Sequence, residues 1–326
     1  MSRTGRERNL PNAWPGGSTI DTMEHPFITI IVPVFNAEMT LPACLASLVA
    51  QEYPKDRYEV LAVDNRSRDR TADIIRSFAV TYLSETEQQS SYAARNAGIR
   101  RAAGEILAFT DADCVADPQW LAKAVPCFRD QTVGGVAGKI GNHLPINAIQ
   151  EYLFDVLAQE DHITHRVHPY AVTANVLYRK SVFDRLGLFE GNWVSGGDAD
   201  FAWRMQTQSP DRLIYCESAI VTHQHRHTRA GHLRQRWIWG YGEVLLYARY
   251  RDEYVRQGLG YGLRVFLEDY RVLLLVLWRW AKARLRRSMA SINAKDYEYA
   301  VCDCLAEIGR RMGRIHGSFR ERVLYV

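Results

Sequence analysis

The chain has 326 residues, 47% of them hydrophobic and 24% charged, and a formal net charge of +4 at pH 7. This length and balance predict one large domain with an appendage, and the sequence contains no internal repeat or long low-complexity tract. The six cysteines lack disulfide-type spacing and no apolar signal-like segment is present, so we predict ordinary thiols and a cytoplasmic location. Residues 1–26 are rich in arginine, proline and glycine, which predicts a disordered leader.

Buried strands alternate with helices in the next part of the chain. The apolar run over residues 27–34 predicts a first strand, and residues 59–64 predict a second strand that ends at Asp64. Helical patterns follow over residues 41–49, 72–78 and 90–103. The alternation predicts a mostly parallel sheet that binds its ligand beyond the carboxyl ends of the strands.

Two carboxylates come directly after the next predicted strand. Residues 106–109 form an apolar run, and Asp111 and Asp113 follow it. Side chains at i and i+2 of extended backbone can point the same way, so one divalent ion could meet one or both carboxylates and keep positions for phosphate oxygens. The competing interpretation is an Asp-rich turn without a ligand.

A series of short motifs extends over about residues 27–240. The motifs are Ile31-Val-Pro-Val-Phe-Asn36, Val63-Asp-Asn-Arg-Ser-Arg-Asp-Arg-Thr71, Ala94-Arg-Asn-Ala-Gly98, Thr110-Asp-Ala-Asp113, Gly196-Gly-Asp-Ala-Asp200 and His223. Their order and spacing resemble those of the family 2 glycosyltransferases, which are inverting enzymes. The resemblance implies an α/β A-type glycosyltransferase fold with a mostly parallel, Rossmann-like sheet and flanking helices. Residues 27–240 would be the catalytic domain, and residues 241–326 a basic helical C-terminal region.

The resemblance also implies which residues bind the donor, for which we expect a uridine diphosphate sugar. Asn65 stands where many relatives have a second Asp, which is a departure within the base pocket. The implied donor residues are Pro33, Phe35 and Asn36 around the nucleoside, Asp64 at the base, Arg95 near the base or diphosphate, and Asp111 at the ribose or metal.

For the metal, the resemblance implies Asp113 as a direct ligand, with Asp111 and His223 completing the metal or diphosphate contacts and His225 as the less favoured histidine. A divalent cation neutralises the charge that develops on a leaving diphosphate. Mg or Mn suits such an oxygen-rich site. Two zinc alternatives remain open, one at His162, His165 and His168 and one at His223, His225 and His227.

A second pair of carboxylates, Asp198 and Asp200, follows two glycines. Relatives commonly have Glu-Asp-x-Asp here, and Gly197 replaces the Glu. By alignment Asp198 is the catalytic base that takes the proton of the acceptor hydroxyl. We expect Asp200 to cap or orient the helix beside the acceptor, and Gly197 and Trp193 to approach the acceptor, although first-turn acids also stabilise helices without any catalytic role.

Basic charge is concentrated at the end of the chain, where residues 227–326 contain 19 Lys and Arg against 10 Asp and Glu. Residues 265–280 are apolar with interspersed charges, and four basic residues follow by residue 287. This pattern predicts either an in-plane helix on an anionic membrane or a helix packed on protein. We predict no nucleic-acid partner.

We therefore predict metal-dependent, inverting transfer of a sugar from a nucleotide diphosphate to a hydroxyl of a saccharide or lipid-linked acceptor. The lack of spanning segments and of a Gln-x-x-Arg-Trp motif argues against a polymer-extruding synthase. The alternatives are a sugar nucleotidyltransferase, which would need a Gly-rich basic loop after the first strand, and a catalytically silent nucleotide-sugar-binding scaffold.

Overall fold

A single eight-stranded sheet organises the first two thirds of the chain. A computed structural model describes residues 25–154, 159–164, 169–256 and 263–325. The predicted leader lies almost wholly outside these residues, as do His165 and His168. The strands are β1 (Ile28–Val34), β2 (Tyr58–Asp64), β3 (Thr81–Ser84), β4 (Ile106–Thr110), β5 (Cys114–Ala116), β6 (Val133–Asn142), β7 (Asn175–Arg179) and β8 (Arg212–His223).

The helices cover both faces of the sheet and form the C-terminal region. A short 3-10 helix, Val125–Arg129, directly follows the α-helix that ends at Ala124. The α-helices are α1 (Leu41–Val49), α2 (Thr71–Arg76), α3 (Ser91–Arg101), α4 (Trp120–Ala124), α5 (Ala148–Tyr152), α6 (Gln159–Thr164), α7 (Lys180–Leu186), α8 (Gly197–Gln208), α9 (Arg229–Arg256), α10 (Leu263–Ser288) and α11 (Ala294–Glu321).

The strand order is β3-β2-β1-β4-β7-β6-β8-β5. The first four strands in this order are parallel, and β6 is parallel to β8. Three pairings are antiparallel, namely β4 with β7, β6 with β7 and β5 with β8. The predicted mostly parallel sheet is confirmed, and β7 and β5 add an antiparallel component that the sequence had not indicated.

Side chains of β1 alternate between two apolar cores, one on each face of the sheet. Ile30 and Val32 pack in one core with α1, and Ile31 packs in the other with Phe109 and Phe201. Burial on both faces explains why the strand reads as a continuous apolar run. The sheet is therefore rigid at the edge where β1, β2 and β4 end.

The C-terminal helices pack on one another at very short distances. A Cβ on Gly240 of α9 would lie 2.0 Å from the Arg310 carbonyl oxygen, and one on Gly313 of α11 would lie 2.0 Å from the Trp237 carbonyl oxygen. Only glycine allows two helix backbones to approach this closely. The predicted domain boundary after residue 240 lies within α9, at its contact with α11 and before the kink at Tyr250. No helix in the described ranges is both long and apolar enough to cross a bilayer.

Buried arginine joins α10 to this pair. Arg314 of α11 donates from Nε to Glu243 of α9 at 2.7 Å and also pairs with Asp269 of α10. Its side chain is almost fully buried, so both carboxylates are needed to compensate its charge. The three helices thus form one appendage fixed by α11.

Candidate active site

The candidate site lies where β1, β2 and β4 end. The backbone after β1 turns at Asn36, which has a positive φ of 46°, and the loop after β2 closes over it. Asn36 Oδ1 accepts a hydrogen bond from the Arg68 backbone amide at 2.9 Å, and the Asn36 backbone amide donates to Ser67 Oγ at 2.9 Å. The two loops therefore form one wall, on which Phe35 is half-exposed and Pro33 partly buried.

Asp64 and Asn65 close the end of β2. Asp64 is buried, and it accepts hydrogen bonds from the Ser67 amide at 3.1 Å and from the Tyr82 hydroxyl at 3.4 Å. Asn65 donates from Nδ2 to the carbonyl oxygens of Glu85 and Gln88 at 3.1 and 2.9 Å. A carboxylate could not donate these bonds. Asn65, at a position where many relatives have Asp, therefore fixes the loop after β3 through these two hydrogen bonds.

Arg95 of α3 is a buried cation at the centre of the site. Its Nη2 donates to Asp111 Oδ1 at 2.5 Å, and its guanidinium lies over the ring of Tyr92 at 5.4 Å. Its Nε is buried without a hydrogen-bond partner among the described residues. A buried charge with an unused donor is costly, so this atom is a candidate contact for a ligand.

Asp113 and His223 are brought together by strand pairing. In the antiparallel β5–β8 pair Cys114 is opposite His223, and the amide of Gln224 donates to the Asp113 carbonyl oxygen at 2.9 Å. His223 Nε2 consequently lies 3.5 Å from Asp113 Oδ1. Arg226 Nη1 lies 3.7 Å from the other carboxylate oxygen.

The residues at this point fit a hard divalent cation. Potential ligand atoms of Asp113, Cys114 and His223 lie within 4.8 Å of one another. Burial raises the pKa of the Cys114 thiol well above its usual value, so without a cation this thiol is protonated. The carboxylate and the imidazole remain, and His223 Nδ1 is buried without a hydrogen-bond partner in the described part of the chain. This donor set suits Mn or Mg with phosphate oxygens better than a closed zinc site.

The structure does not assemble a metal group from His223, His225 and His227. His225 Nε2 bonds to Asn142 Oδ1 at 2.8 Å, and burial lowers the pKa of His225 to about 4. Neither His225 nor His227 joins a potential metal group among the residues described. His162 stacks on Tyr170 with ring centroids 4.6 Å apart, and its two predicted partners lie outside the described residues.

Asp198 lies in the first turn of α8 and is held by Tyr92. The Tyr92 hydroxyl donates to Asp198 Oδ1 at 3.2 Å, and the Ala199 amide donates to the same oxygen at 3.0 Å. Burial raises the pKa of Asp198, although these bonds and the nearby charge of Arg95 act in the opposite direction. The carboxylate is therefore a stronger proton acceptor than an ordinary aspartate.

Gly197 leaves room for the Tyr92 ring. A Cβ on Gly197 would lie 2.9 to 3.0 Å from three atoms of that ring. The preceding Gly196 has φ +83°, which a residue with a side chain rarely adopts. Tyr92 thus fills the space beside the residue that replaces the Glu of relatives, which explains the departure in packing terms.

Asp200 is enclosed by protein, with 0% of its side chain exposed. Its carboxylate accepts hydrogen bonds from Arg204 Nε at 2.9 Å, Arg249 Nη1 at 2.8 Å and the Tyr250 hydroxyl at 2.8 Å. Protein donors thus surround this carboxylate, and its predicted place beside the acceptor stays a prediction. The orienting role remains a prediction.

Trp193 is also buried, beneath Arg249. The Arg249 guanidinium lies 4.8 Å from the Trp193 ring centre, and its Nη2 bonds to Glu190 at 2.7 Å. Arg249 belongs to α9, so this helix holds the loop that leads into α8. The acceptor contacts of Trp193 and Gly197 stay predictions.

The sequence reasoning missed three residues of this site, Tyr92, Arg226 and Arg249. Arg226 stands three residues after His223, within a run of basic and histidine residues, and that proximity was an available signal. Tyr92 and Arg249 reach the site from helices far away along the chain. Nothing in their local sequence indicates this contact.

Comparison with known proteins identifies the family. The Glycosyl transferase family 2 model matches residues 29–187. Glycosyltransferase AglE of Haloferax volcanii is 37% identical over 209 residues, which cover 62% of this chain and 68% of AglE. A dolichyl N-acetyl-alpha-D-glucosaminyl phosphate glucuronosyltransferase of Methanococcus voltae is 29% identical over 132 residues, or 36% of this chain and 41% of that enzyme.

Solved structures share the fold. The mannosyltransferase PcManGT of Pyrobaculum calidifontis, in complex with GDP-Man and Mn2+, superposes with a TM-score of 0.60 at 20% identity, covering 89% of this chain and 87% of its own. The glucosyl-3-phosphoglycerate synthase of Mycobacterium tuberculosis, with Mg2+ and UDP, gives a TM-score of 0.50 at 14% identity, covering 69% and 83%. The predicted A-type glycosyltransferase fold is confirmed. This chain belongs to glycosyl transferase family 2.

Proposed function

We propose that this glycosyltransferase moves a sugar from a uridine diphosphate donor to a hydroxyl of a saccharide or lipid-linked acceptor, with inversion and with a bound Mg or Mn ion. One observation carries the proposal. Asp113, whose carboxylate lies 3.5 Å from His223 Nε2, and Asp111 both follow the end of β4. Asp111 pairs with Arg95, and the charge of Arg95 acts in turn on a separate carboxylate, Asp198.

Asp113 and His223 would hold the cation, with Asp111 at the ribose or metal. When bound, the cation neutralises negative charge that develops on the diphosphate. Arg226 reaches the same edge and would add a second positive charge beside the phosphates. Pro33, Phe35, Asn36 and Asp64 would form the nucleoside pocket.

Asp198 would act as the general base. Its raised pKa favours uptake of the acceptor hydroxyl proton as the oxygen attacks the anomeric carbon from the side opposite the diphosphate. Tyr92 fixes the carboxylate through its hydroxyl and keeps it oriented for this step. A single displacement of this kind inverts the anomeric centre.

The acceptor class is inferred from the name of a relative. The Methanococcus voltae relative is named for a dolichyl phosphate-linked sugar, which supports a lipid-linked acceptor here. All six cysteines are free, and this supports the predicted cytoplasmic location.

The products of the reaction test this proposal against its alternatives. The purified chain should bind a UDP-sugar in a thermal-shift panel with Mn, and should release UDP with a glycosylated acceptor or, without acceptor, with free sugar. EDTA should abolish both reactions. Release of pyrophosphate would indicate a sugar nucleotidyltransferase, and donor binding without turnover in the presence of acceptors would indicate a silent binding protein.

A further inference from the structure

Helix α10 presents an apolar stripe to solvent. Leu267, Leu274, Trp278 and Leu285 are 56%, 66%, 59% and 61% exposed. Their spacing of seven, four and seven residues places them on one side of the helix. The opposite side carries the buried Val276 and Ala283 and packs on α11. The stripe is therefore an outward surface of the folded protein.

Basic side chains flank this stripe. Residues 271–288 contain six Lys and Arg and no Asp or Glu. Among the ion pairs within the described ranges, none involves Arg279, Lys282, Arg284 or Arg287. Lys282 Nζ lies 5.0 Å from the centre of the Trp278 ring, and the Arg284 guanidinium lies 5.6 Å from that of Trp280. The stripe thus combines apolar area, tryptophan and uncompensated positive charge.

This charge decides between the two kinds of partner that an apolar helical stripe fits. A second copy packed stripe to stripe would bring two sets of basic side chains to one seam, and like charges across an interface are unfavourable. An anionic bilayer supplies negative charge, an apolar interior for the leucines and an interfacial layer where tryptophan is favoured. Long basic side chains can extend to the head groups while their stems stay on the apolar surface.

We propose that the outward face of α10 binds an anionic membrane surface in the plane of the bilayer. No spanning segment is involved. The interaction holds the appendage of α9, α10 and α11 against the head groups. Because α9 carries Arg249, which holds the loop before α8, the catalytic domain is fixed relative to that surface.

Vesicle sedimentation of the full chain tests this proposal. Vesicles of phosphatidylcholine with 25% phosphatidylglycerol should bind the protein in low salt, and pure phosphatidylcholine vesicles should bind it at least tenfold more weakly. Leu274→Ser with Trp278→Ser should weaken binding to the anionic vesicles by about tenfold or more. Arg279→Gln with Lys282→Gln should weaken it by on the order of thirtyfold, since each basic side chain near such a surface contributes roughly a factor of five.

Matched controls exist on the catalytic domain. Leu144→Ser with Ile146→Ser removes two equally exposed apolar side chains, and Arg100→Gln with Arg101→Gln removes two exposed charges at the end of α3. Both controls should bind vesicles like the parent chain. Equal binding to neutral vesicles, absent binding, or equal losses in the controls would overturn the proposal.

Sedimentation equilibrium without lipid tests whether the stripe binds a second copy of the chain. A monomer–dimer equilibrium abolished by the α10 apolar variant would assign the stripe to self-association instead. Vesicle binding does not depend on donor turnover, so failure here and failure of the proposed reaction are distinguishable.

Discussion

Replacing Asp198 and Asp200 separately with asparagine should separate chemistry from folding. The two carboxylates are two residues apart on α8, but their surroundings differ. Asp198 is mostly buried but not enclosed, and it accepts bonds only from Tyr92 and the Ala199 amide among the described residues. An asparagine can accept both bonds, so Asp198→Asn should change the free energy of unfolding by less than about 1 kcal/mol.

Replacement of Asp200 by asparagine should destabilise the fold. Its carboxylate faces Arg204, Arg249 and the Tyr250 hydroxyl, and it is fully buried. The amide group of asparagine would remove the negative charge and turn a donor toward one of these donors. Removing one partner of a buried ion pair costs about 3–5 kcal/mol. For a chain of 326 residues, with an entropy of unfolding of about 2.1 cal/mol/K per residue, that corresponds to a fall in Tm of roughly 4–7 °C.

Transfer rate and thermal melting, measured together, decide the outcome. Asp198→Asn should keep its Tm and its donor affinity while transfer falls by about 10² to 10⁴, the range that general-base catalysis contributes. Asp200→Asn should melt earlier and retain more transfer at low temperature. If Asp200→Asn abolished transfer at an unchanged Tm while Asp198→Asn stayed active, the base would be Asp200 and the motif would be misaligned by two residues.

Two further substitutions and a pH profile test the metal ligand, the packing of α9 against α11 and the pKa of the base. Asp113→Asn keeps the shape but removes the anionic ligand, so metal-dependent turnover should collapse at unchanged Tm, and normal turnover with metal would refute the assignment. Burial raises the pKa of Asp198, so the transfer rate should increase with pH as this carboxyl group loses its proton. The midpoint of that increase should lie above the ordinary aspartate pKa of about 3.9, and a midpoint at or below that value would contradict a desolvated base. Gly313→Ala places a Cβ 2.0 Å from the Trp237 carbonyl oxygen. In denaturant titration this variant should lower the free energy of unfolding by about 1–3 kcal/mol. Met312→Ala, at the neighbouring half-exposed position, should change it by less than about 1 kcal/mol.

The α10 surface illustrates the limit of a one-dimensional pattern. The sequence predicted a basic amphipathic segment over residues 265–287 and left membrane and protein packing as alternatives. Both kinds of contact require an apolar face, so hydrophobic periodicity cannot distinguish them. The structure shows which side chains α11 covers and which remain exposed.

Local sequence pattern was enough to predict β2, which ends at Asp64, and β4, which Asp111 follows directly, and with them the edge of the sheet where the site lies. Local information sufficed because strands buried on both faces form continuous apolar runs, and because ligands of such sheets bind beyond the carboxyl ends of the strands. The motif order added the family. The strands depend on neighbours within a few residues along the chain, whereas the family rests on the order of short motifs over about residues 27–240.

The contacts that assemble the site from distant segments are seen only in the folded chain. The β5–β8 pairing places His223 beside Asp113, the Tyr92 ring takes the space that Gly197 leaves, and Arg249 of α9 neutralises Asp200. Each contact joins residues about 50 to 110 positions apart. Such contacts depend on strand register and helix packing, which the local pattern of residues does not specify.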